Sequence, residues 1–298
     1  MQKIDINAFV RIYSSHHPMQ PATTAAAATT AATTAATTAA ITAATTTAAA
    51  TTAAAGPVFI SKETTLRLLR DVREMMTCSE PGIYYKHSET DMLLGYALII
   101  GPSDSLYSGG YYFFKFKYPP EYPHAPPVVE FLTNDGETRM HPNYYKSRKV
   151  CVSILNTWRG EQWSGCQTIK SVLLTLMSLL DDKPLLNEPG ITKNNPDYGT
   201  YHRIIQCKNY EFCMLFLLQS FDVFKNTIVD IEHHEQFYDH MCDEFRKNHA
   251  QHLERLTGLL NQYPNSEVLR TAHVYHISAV VNYAAVMRAF QECVKRLV

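Results

Sequence analysis

Two periodicities alternate along the chain. After Ser61, a residue type that caps helix N-termini, apolar side chains recur at helical spacing as Leu66, Leu69, Val72 and Met76. Order is therefore predicted to begin near Val58 and to open on a helix, with Arg67, Arg70 and Arg73 on its other faces. The period then shortens to two. An apolar run from Met92 to Ile100 reads as a strand, and the Gly, Pro, Ser and Asp residues between Gly101 and Gly110 mark a turn. Tyr111 to Tyr118 alternates, placing Tyr112, Phe114, Phe116 and Tyr118 on one side and Lys115 and Lys117 on the other. Pro119 to Pro127 holds too many prolines for a central strand and reads as a stiff connection. Val128, Glu130 and Leu132 alternate with Val129 and Phe131 in a third strand. Helical spacing returns from Ile169 to Leu180, where Val172, Leu173, Leu176 and Leu180 share the face turned to the sheet. From Tyr198 onward there is one proline, Pro264, and three apolar segments (Phe212 to Phe221, Phe237 to Leu259, Val274 to Phe290) read as helices.

Composition changes this picture mainly at the N-terminus. From Ala22 to Ala55 the chain is Ala and Thr, broken only by Ile41. Ala favours helix and β-branched Thr opposes it, and with no charge, aromatic ring or apolar stripe nothing offsets the entropy of ordering. The tract reads as a disordered linker and is too polar for a membrane span. Met1 to Tyr13 lacks the apolar core of a signal peptide. The organisation that follows is an N-terminal arm over 1–21, a low-complexity linker over 22–55, a folded core over 56–198 and a helical extension over 199–298. With 27 basic and 28 acidic residues, a net charge of −1, there is no bulk electrostatic reason for a nucleic-acid or membrane partner. The seven cysteines are odd in number and form no CxxC pair, which points to free thiols in a reducing compartment, cytosol or nucleus. His233, His234, His240 and Cys242 lie close in sequence, but no fourth ligand follows at metal spacing, so they are read as helix-surface residues and no metal is expected.

The candidate chemistry lies in the stretch His141-Pro142-Asn143, a short loop, and Cys151 eight residues after the Asn. Val150, Val152, Ile154 and Leu155 set the Cys at the edge of packed structure, where its sulfur can be partly exposed. If the loop folds back, the Asn143 amide can aim at an oxyanion forming beside the sulfur, a donor worth roughly 3 kcal/mol of barrier. This stretch resembles the active site of E2 ubiquitin-conjugating enzymes, which carry His-Pro-Asn and Cys at the same spacing, then an aliphatic run and a Trp. The Gly-Pro-x-Asp-Ser-x-Tyr-x-Gly-Gly turn at 101–110 and the Tyr-Pro-x-x-Pro-Pro link at 122–127 carry the same resemblance across most of 58–198. One departure stands inside the loop. Arg148 occupies a position where family members usually have Gly, and if positive φ is needed there Arg costs roughly 1–2 kcal/mol.

The resemblance implies an α/β (α+β) fold of the UBC type, a four-stranded antiparallel meander flanked by helices and followed here by the helical extension. It implies an acyl transfer in which Cys151 takes a modifier's C-terminal glycine as a thioester. Asn143 stabilises the oxyanion or holds the loop that does so, His141 bonds backbone within the loop, and Glu188, just before Pro189, gates the groove for an incoming lysine. The implied partners are ubiquitin or a ubiquitin-like protein, an activating enzyme (E1) that consumes the ATP, a ligase (E3) and a substrate protein, with no cofactor on this chain. An E2-like scaffold that binds ubiquitin without chemistry is the alternative. Asn156-Thr157-Trp158-x-Gly160 looks like a larger E2 subgroup, including one enzyme that serves both ubiquitin and a tandem ubiquitin-like modifier. Trp158 and Trp163 are read as packing residues. The Arg67, Arg70 and Arg73 face is either solvated surface or, by the resemblance, a docking face for the activating enzyme. His124 and Ser164-Gly165-Cys166 replace apolar residues that many family members present to RING ligases, which puts that contact in doubt.

Overall fold

In the computed structural model, residues 59–222, 224 and 234–298 are described. The arm over 1–21, the Ala/Thr tract over 22–55 and His233 lie outside the described residues. Ser61 opens α1 (Lys62–Met76), its hydroxyl accepting the Thr64 N–H at 3.0 Å. The buried face of α1 is not the stripe predicted from spacing. Leu66, Leu69 and Met76 are exposed, whereas Thr64, Leu68, Asp71 and Met75 are buried. Two polar residues disguise this face, and both are satisfied inside: Thr64 donates to the Pro120 carbonyl at 2.8 Å, and Asp71 accepts from Arg67 at 2.9 Å and from the Tyr122 hydroxyl. Arg67 also donates to the carbonyls of Gly165 and Gln167, so of the three predicted surface arginines one is structural and Arg70 and Arg73 stay exposed.

The sheet runs β1 (Ile83–His87), β2 (Leu94–Ile100), β3 (Tyr111–Lys117) and β4 (Val128–Phe131), antiparallel and in sequence order. Three strands match the predicted ones. The fourth, β1, is a five-residue strand without a clear apolar alternation in its sequence, and it pairs Tyr84 with Leu98 and Tyr85 with Ala97. One face of the sheet carries Tyr112, Phe114 and Phe116 as predicted. Beneath it lie α2 (Ile169–Ser178), whose Val172, Leu173 and Leu176 are fully buried, and Tyr144, whose hydroxyl donates to the Leu176 carbonyl at 2.6 Å.

The opposite face is buried as well. Phe113 packs against Phe221, Phe224 and Phe237 with ring centroids 5.5–5.7 Å apart, Tyr111 donates to the Met241 carbonyl at 3.0 Å, and Tyr84 stacks on His240 at 4.0 Å. All of those partners come from the C-terminal extension. Its described residues form α3 (Tyr198–Lys208), continued by a π-helical segment (Asn209–Phe216) and an α turn (Leu217–Gln219), then α4 (His234–Gln262), a hairpin of β5 (Glu267–Arg270) and β6 (Ser278–Val281), and α5 (Tyr283–Leu297). The helix predicted from Val274 to Phe290 is thus half hairpin. Ala279 and Val281 are buried while Ser278 and Val280 face outward, a strand alternation too short to outweigh the helical one that begins at Tyr283. Within the π segment Asn209 is buried, accepting from Tyr112 at 2.5 Å and donating to the Ser108 carbonyl at 2.9 Å, which ties the extension to the turn before β3. Among the described residues no group of three His, Cys, Asp or Glu could hold a metal, and no helix is long and apolar enough to cross a membrane.

Candidate active site

The loop from His141 to Cys151 closes on itself beside β4. The Arg148 N–H donates to the Tyr145 carbonyl at 2.8 Å, the Tyr145 N–H to Lys149 at 2.9 Å, and the Phe131 N–H of β4 to the Arg148 carbonyl at 2.8 Å. This is a tight turn followed by a bulge residue, the arrangement that requires a left-handed backbone at its last position. Arg148 sits there with φ 71°. The site does demand the conformation glycine adopts freely, and Arg adopts it at a cost of roughly 1–2 kcal/mol. Arg148→Gly should therefore raise stability by about 0.5–1 kcal/mol in denaturant unfolding, after allowance for the extra freedom of Gly in the unfolded chain. A clear loss of stability would show that the Arg148 side chain contributes more than its backbone costs.

His141 is fully buried, its ring 4.9 Å from that of Tyr144 and 5.9 Å from that of Tyr107. Its Nδ1 accepts the Asn143 N–H at 3.0 Å. Burial lowers its pKa to about 3, with the Leu179 backbone opposing and Arg139 assisting. A ring that stays neutral and spends one nitrogen on the loop is a structural element here. Asn143 does not point its amide at the sulfur. Its Nδ2 donates to the Cys151 carbonyl at 2.7 Å while its own carbonyl accepts the Cys151 N–H at 2.9 Å, so Asn143 fastens the Cys151 peptide from both sides. Its Oδ1 is buried without a hydrogen-bond partner.

Cys151 is 4% exposed, more covered than the sequence suggests. Its thiol donates to the Thr157 carbonyl at 3.1 Å. Thr157 in turn latches the longer loop: its hydroxyl accepts the Val152 N–H and lies 2.9 Å from the carbonyls of Val150 and Val152. Asn156, in the left-handed region at φ 57°, accepts the Trp163 N–H at 2.8 Å, and the Trp163 indole donates to the Pro123 carbonyl at 2.7 Å. Trp163 packs 5.9 Å from Tyr122, but Trp158 is 48% exposed and packs little. His124, Ser164, Gly165 and Cys166 are exposed, with His124 bonded to Glu63 at 3.1 Å.

Glu188 follows a short 3-10 turn (Pro184–Asn187) anchored by buried Pro184 and Leu185. Its carboxylate accepts a hydrogen bond from the Tyr275 hydroxyl, a residue of the β5–β6 loop. The Arg139 guanidinium lies 3.3 Å over the Tyr145 ring and 5.1 Å from that of Tyr275, and it donates to the carbonyls of His141 at 3.1 Å and Pro142 at 2.5 Å. The four residues singled out from the sequence thus fall into two groups. Asn143 bonds directly to both His141 and Cys151, and Glu188 joins them through Tyr275 and Arg139. Sequence reasoning missed Thr157, Arg139 and Tyr275. Thr157 lies in a quoted motif and could have been weighed, whereas Tyr275 stands 87 residues from Glu188 with no local signal.

Residues 67–203 match the family described as Ubiquitin-conjugating enzyme. The chain is 36% identical over 163 residues to ubiquitin-conjugating enzyme E2 Z of Xenopus tropicalis, covering 54% of this chain and 52% of that one. It is 39% identical over 150 residues to the Homo sapiens protein of the same name, covering 50% and 40%. A solved structure of human ubiquitin-conjugating enzyme E2 G1 aligns at 29% identity with a TM-score of 0.36, over 41% of this chain and 98% of that one. The chain spans about half the length of the curated relatives it matches. Residues 67–203, the part that carries the His-Pro-Asn loop and the four-stranded UBC meander, are thus the part of the chain that is similar to ubiquitin-conjugating (E2) enzymes.

Proposed function

We propose that this chain accepts ubiquitin, or a ubiquitin-like modifier, from an activating enzyme as a thioester on Cys151 and passes it to a lysine or to a ligase cysteine. The observation that carries the reading is the double fastening of the Cys151 peptide by Asn143 inside the His-Pro-Asn loop. In loading, the Cys151 thiolate attacks the thioester carbonyl held by the activating enzyme, whose cysteine leaves as thiolate; the ATP is spent earlier, by that enzyme, and this chain binds no cofactor. In discharge, a lysine nitrogen forms a bond to the carbonyl carbon, the carbon–sulfur bond breaks, Cys151 leaves as thiolate and the amine proton passes to Glu188 or to solvent. Asn143 serves by holding the loop that presents the sulfur, and His141 by holding Asn143.

The long Asn-Thr-Trp-x-Gly loop and the helical extension support a place among the larger E2 enzymes of the E2 Z kind, acting in the cytosol or nucleus. Arg148 in its strained backbone position and the covered sulfur are the features that favour the scaffold alternative. Incubation with activating enzyme, ubiquitin and ATP separates the two: a band shifted by one modifier and collapsed by reductant is expected. Its absence, with ubiquitin still bound, would leave a scaffold.

A further inference from the structure

Tyr275 lies on the loop between β5 and β6, far in sequence from every residue of the motif. Two backbone features fix that loop in an unusual shape. Tyr275 and His276 both occupy the left-handed region, at φ 58° and 47°, where bulky residues are strained. The strain is over-determined by bonds around it. The buried Asp197 carboxylate accepts the N–H groups of Ala272, His273 and Val274 at 2.6–3.0 Å, and Thr271 accepts the Ile277 N–H at 2.8 Å. The outcome is that one ring reaches the 3-10 turn after α2, where its hydroxyl donates to Glu188 and its face lies near Arg139. Tyr201, fully buried, supports the same cluster by donating to the Arg139 carbonyl at 3.0 Å.

We propose that Tyr275 is a positioning residue for acyl transfer, orienting the Glu188 carboxylate for the incoming lysine and tying it, through Arg139, to the His141-Pro142-Asn143 loop. The inference rests on the proposed function and deepens it, because it makes the C-terminal hairpin part of the lysine-receiving site. The chemistry suits the role. A carboxylate has two oxygens, and a hydroxyl bound to one leaves the other able to accept from an amine. Burial, followed by the hydrogen bond to Glu188 and the Glu188 charge, raises the Tyr275 pKa far beyond the physiological range, so the hydroxyl remains a donor. Arg139 grips the motif's carbonyls with the same guanidinium that packs beside Tyr275, so a shift of the hairpin is felt at both ends of the site.

The test uses the full chain charged on Cys151 and compares loading with single-turnover discharge onto free lysine. Tyr275→Phe keeps the ring beside Arg139 and removes only the hydroxyl. Loading should stay at the wild-type rate and the thermal midpoint should fall by no more than the few degrees one hydrogen bond is worth, while discharge slows about tenfold, the scale of one lost charge-assisted hydrogen bond. In a Glu188→Ala background, itself slow in discharge, adding Tyr275→Phe should change nothing, because the group it orients is gone. Wild-type discharge by Tyr275→Phe would overturn the inference. So would an equal slowing with and without Glu188, or a parallel loss of loading and thermal stability, either of which marks a residue that only packs. Wild-type discharge by Glu188→Ala would overturn it too, since there would be no carboxylate to position. Failure of wild-type Cys151 to load shows at the first step and removes the enzyme reading, and this inference with it.

Discussion

Cys151→Ala should abolish loading, and Cys151→Ser should carry the modifier as an oxyester that survives reductant. The expectation rests on what surrounds the other thiols as much as on the loop. Cys207, Cys213, Cys242 and Cys293 are buried in the extension, and burial pushes their pKa values up, that of Cys207 to about 12. A thiol held protonated in apolar surroundings is a poor nucleophile. Cys78 is half-buried after α1, and Cys166 is exposed beyond the Trp loop; neither has an Asn fastening its peptide. Serine replaces the sulfur with a harder, less acidic oxygen, so its ester forms slowly but resists thiol exchange. The readout is a gel with and without reductant for each variant. Charging by Cys151→Ala at the wild-type level would move the nucleophile elsewhere, with Cys166 the first place to look.

Phe113→Ala should destabilise the fold by about 3–5 kcal/mol, the range for emptying a large buried aromatic site. Phe113 is fully buried on β3 and touches three rings of the extension at once. Truncation removes those contacts, and the neighbouring rings are themselves packed by Tyr238 and by each other, which limits how far they can collapse into the space. Phe114→Ala on the other face provides a comparison of similar size, because that ring meets Phe131 and Tyr144 instead. Denaturant unfolding measures both. If Phe113→Ala costs under about 1 kcal/mol while Phe114→Ala is severe, the extension rests on the sheet without contributing to its stability.

Three strands of the meander, α2 and the His-Pro-Asn loop were legible because each has a strong local signature, whereas the five residues of β1 have none. Alternating aromatics mark β3, a wide apolar stripe marks α2, and adjacent motif residues bond to one another. Failures occurred where a tertiary contact reverses the local sign. On α1 the residues Thr64 and Asp71 look solvent-facing yet are inside, because Pro120, Arg67 and Tyr122 satisfy them. On β3 the Tyr111 and Phe113 face reads as an outer surface in a simple meander, and only the fold shows the second layer over it. The β5–β6 hairpin is a pair of four-residue strands, below the length at which alternation separates from chance. Glu188 was placed by its motif position, but its partner Tyr275 could not be, since no spacing rule spans such a separation.

The hydrogen bond from the Cys151 thiol to the Thr157 carbonyl bears on kinetics as well as on geometry. A thiolate cannot donate, so ionising the sulfur breaks that bond and leaves two electron-rich atoms facing each other at van der Waals range. Any step that consumes the thiol proton therefore disturbs this one contact, by a turn of the Cys151 side chain or a small shift of the Thr157 peptide. A small alkylating reagent and a bulky protein partner would both have to reach the sulfur of a residue that is only 4% exposed, and the ratio of their rates would measure the room the loop leaves around it.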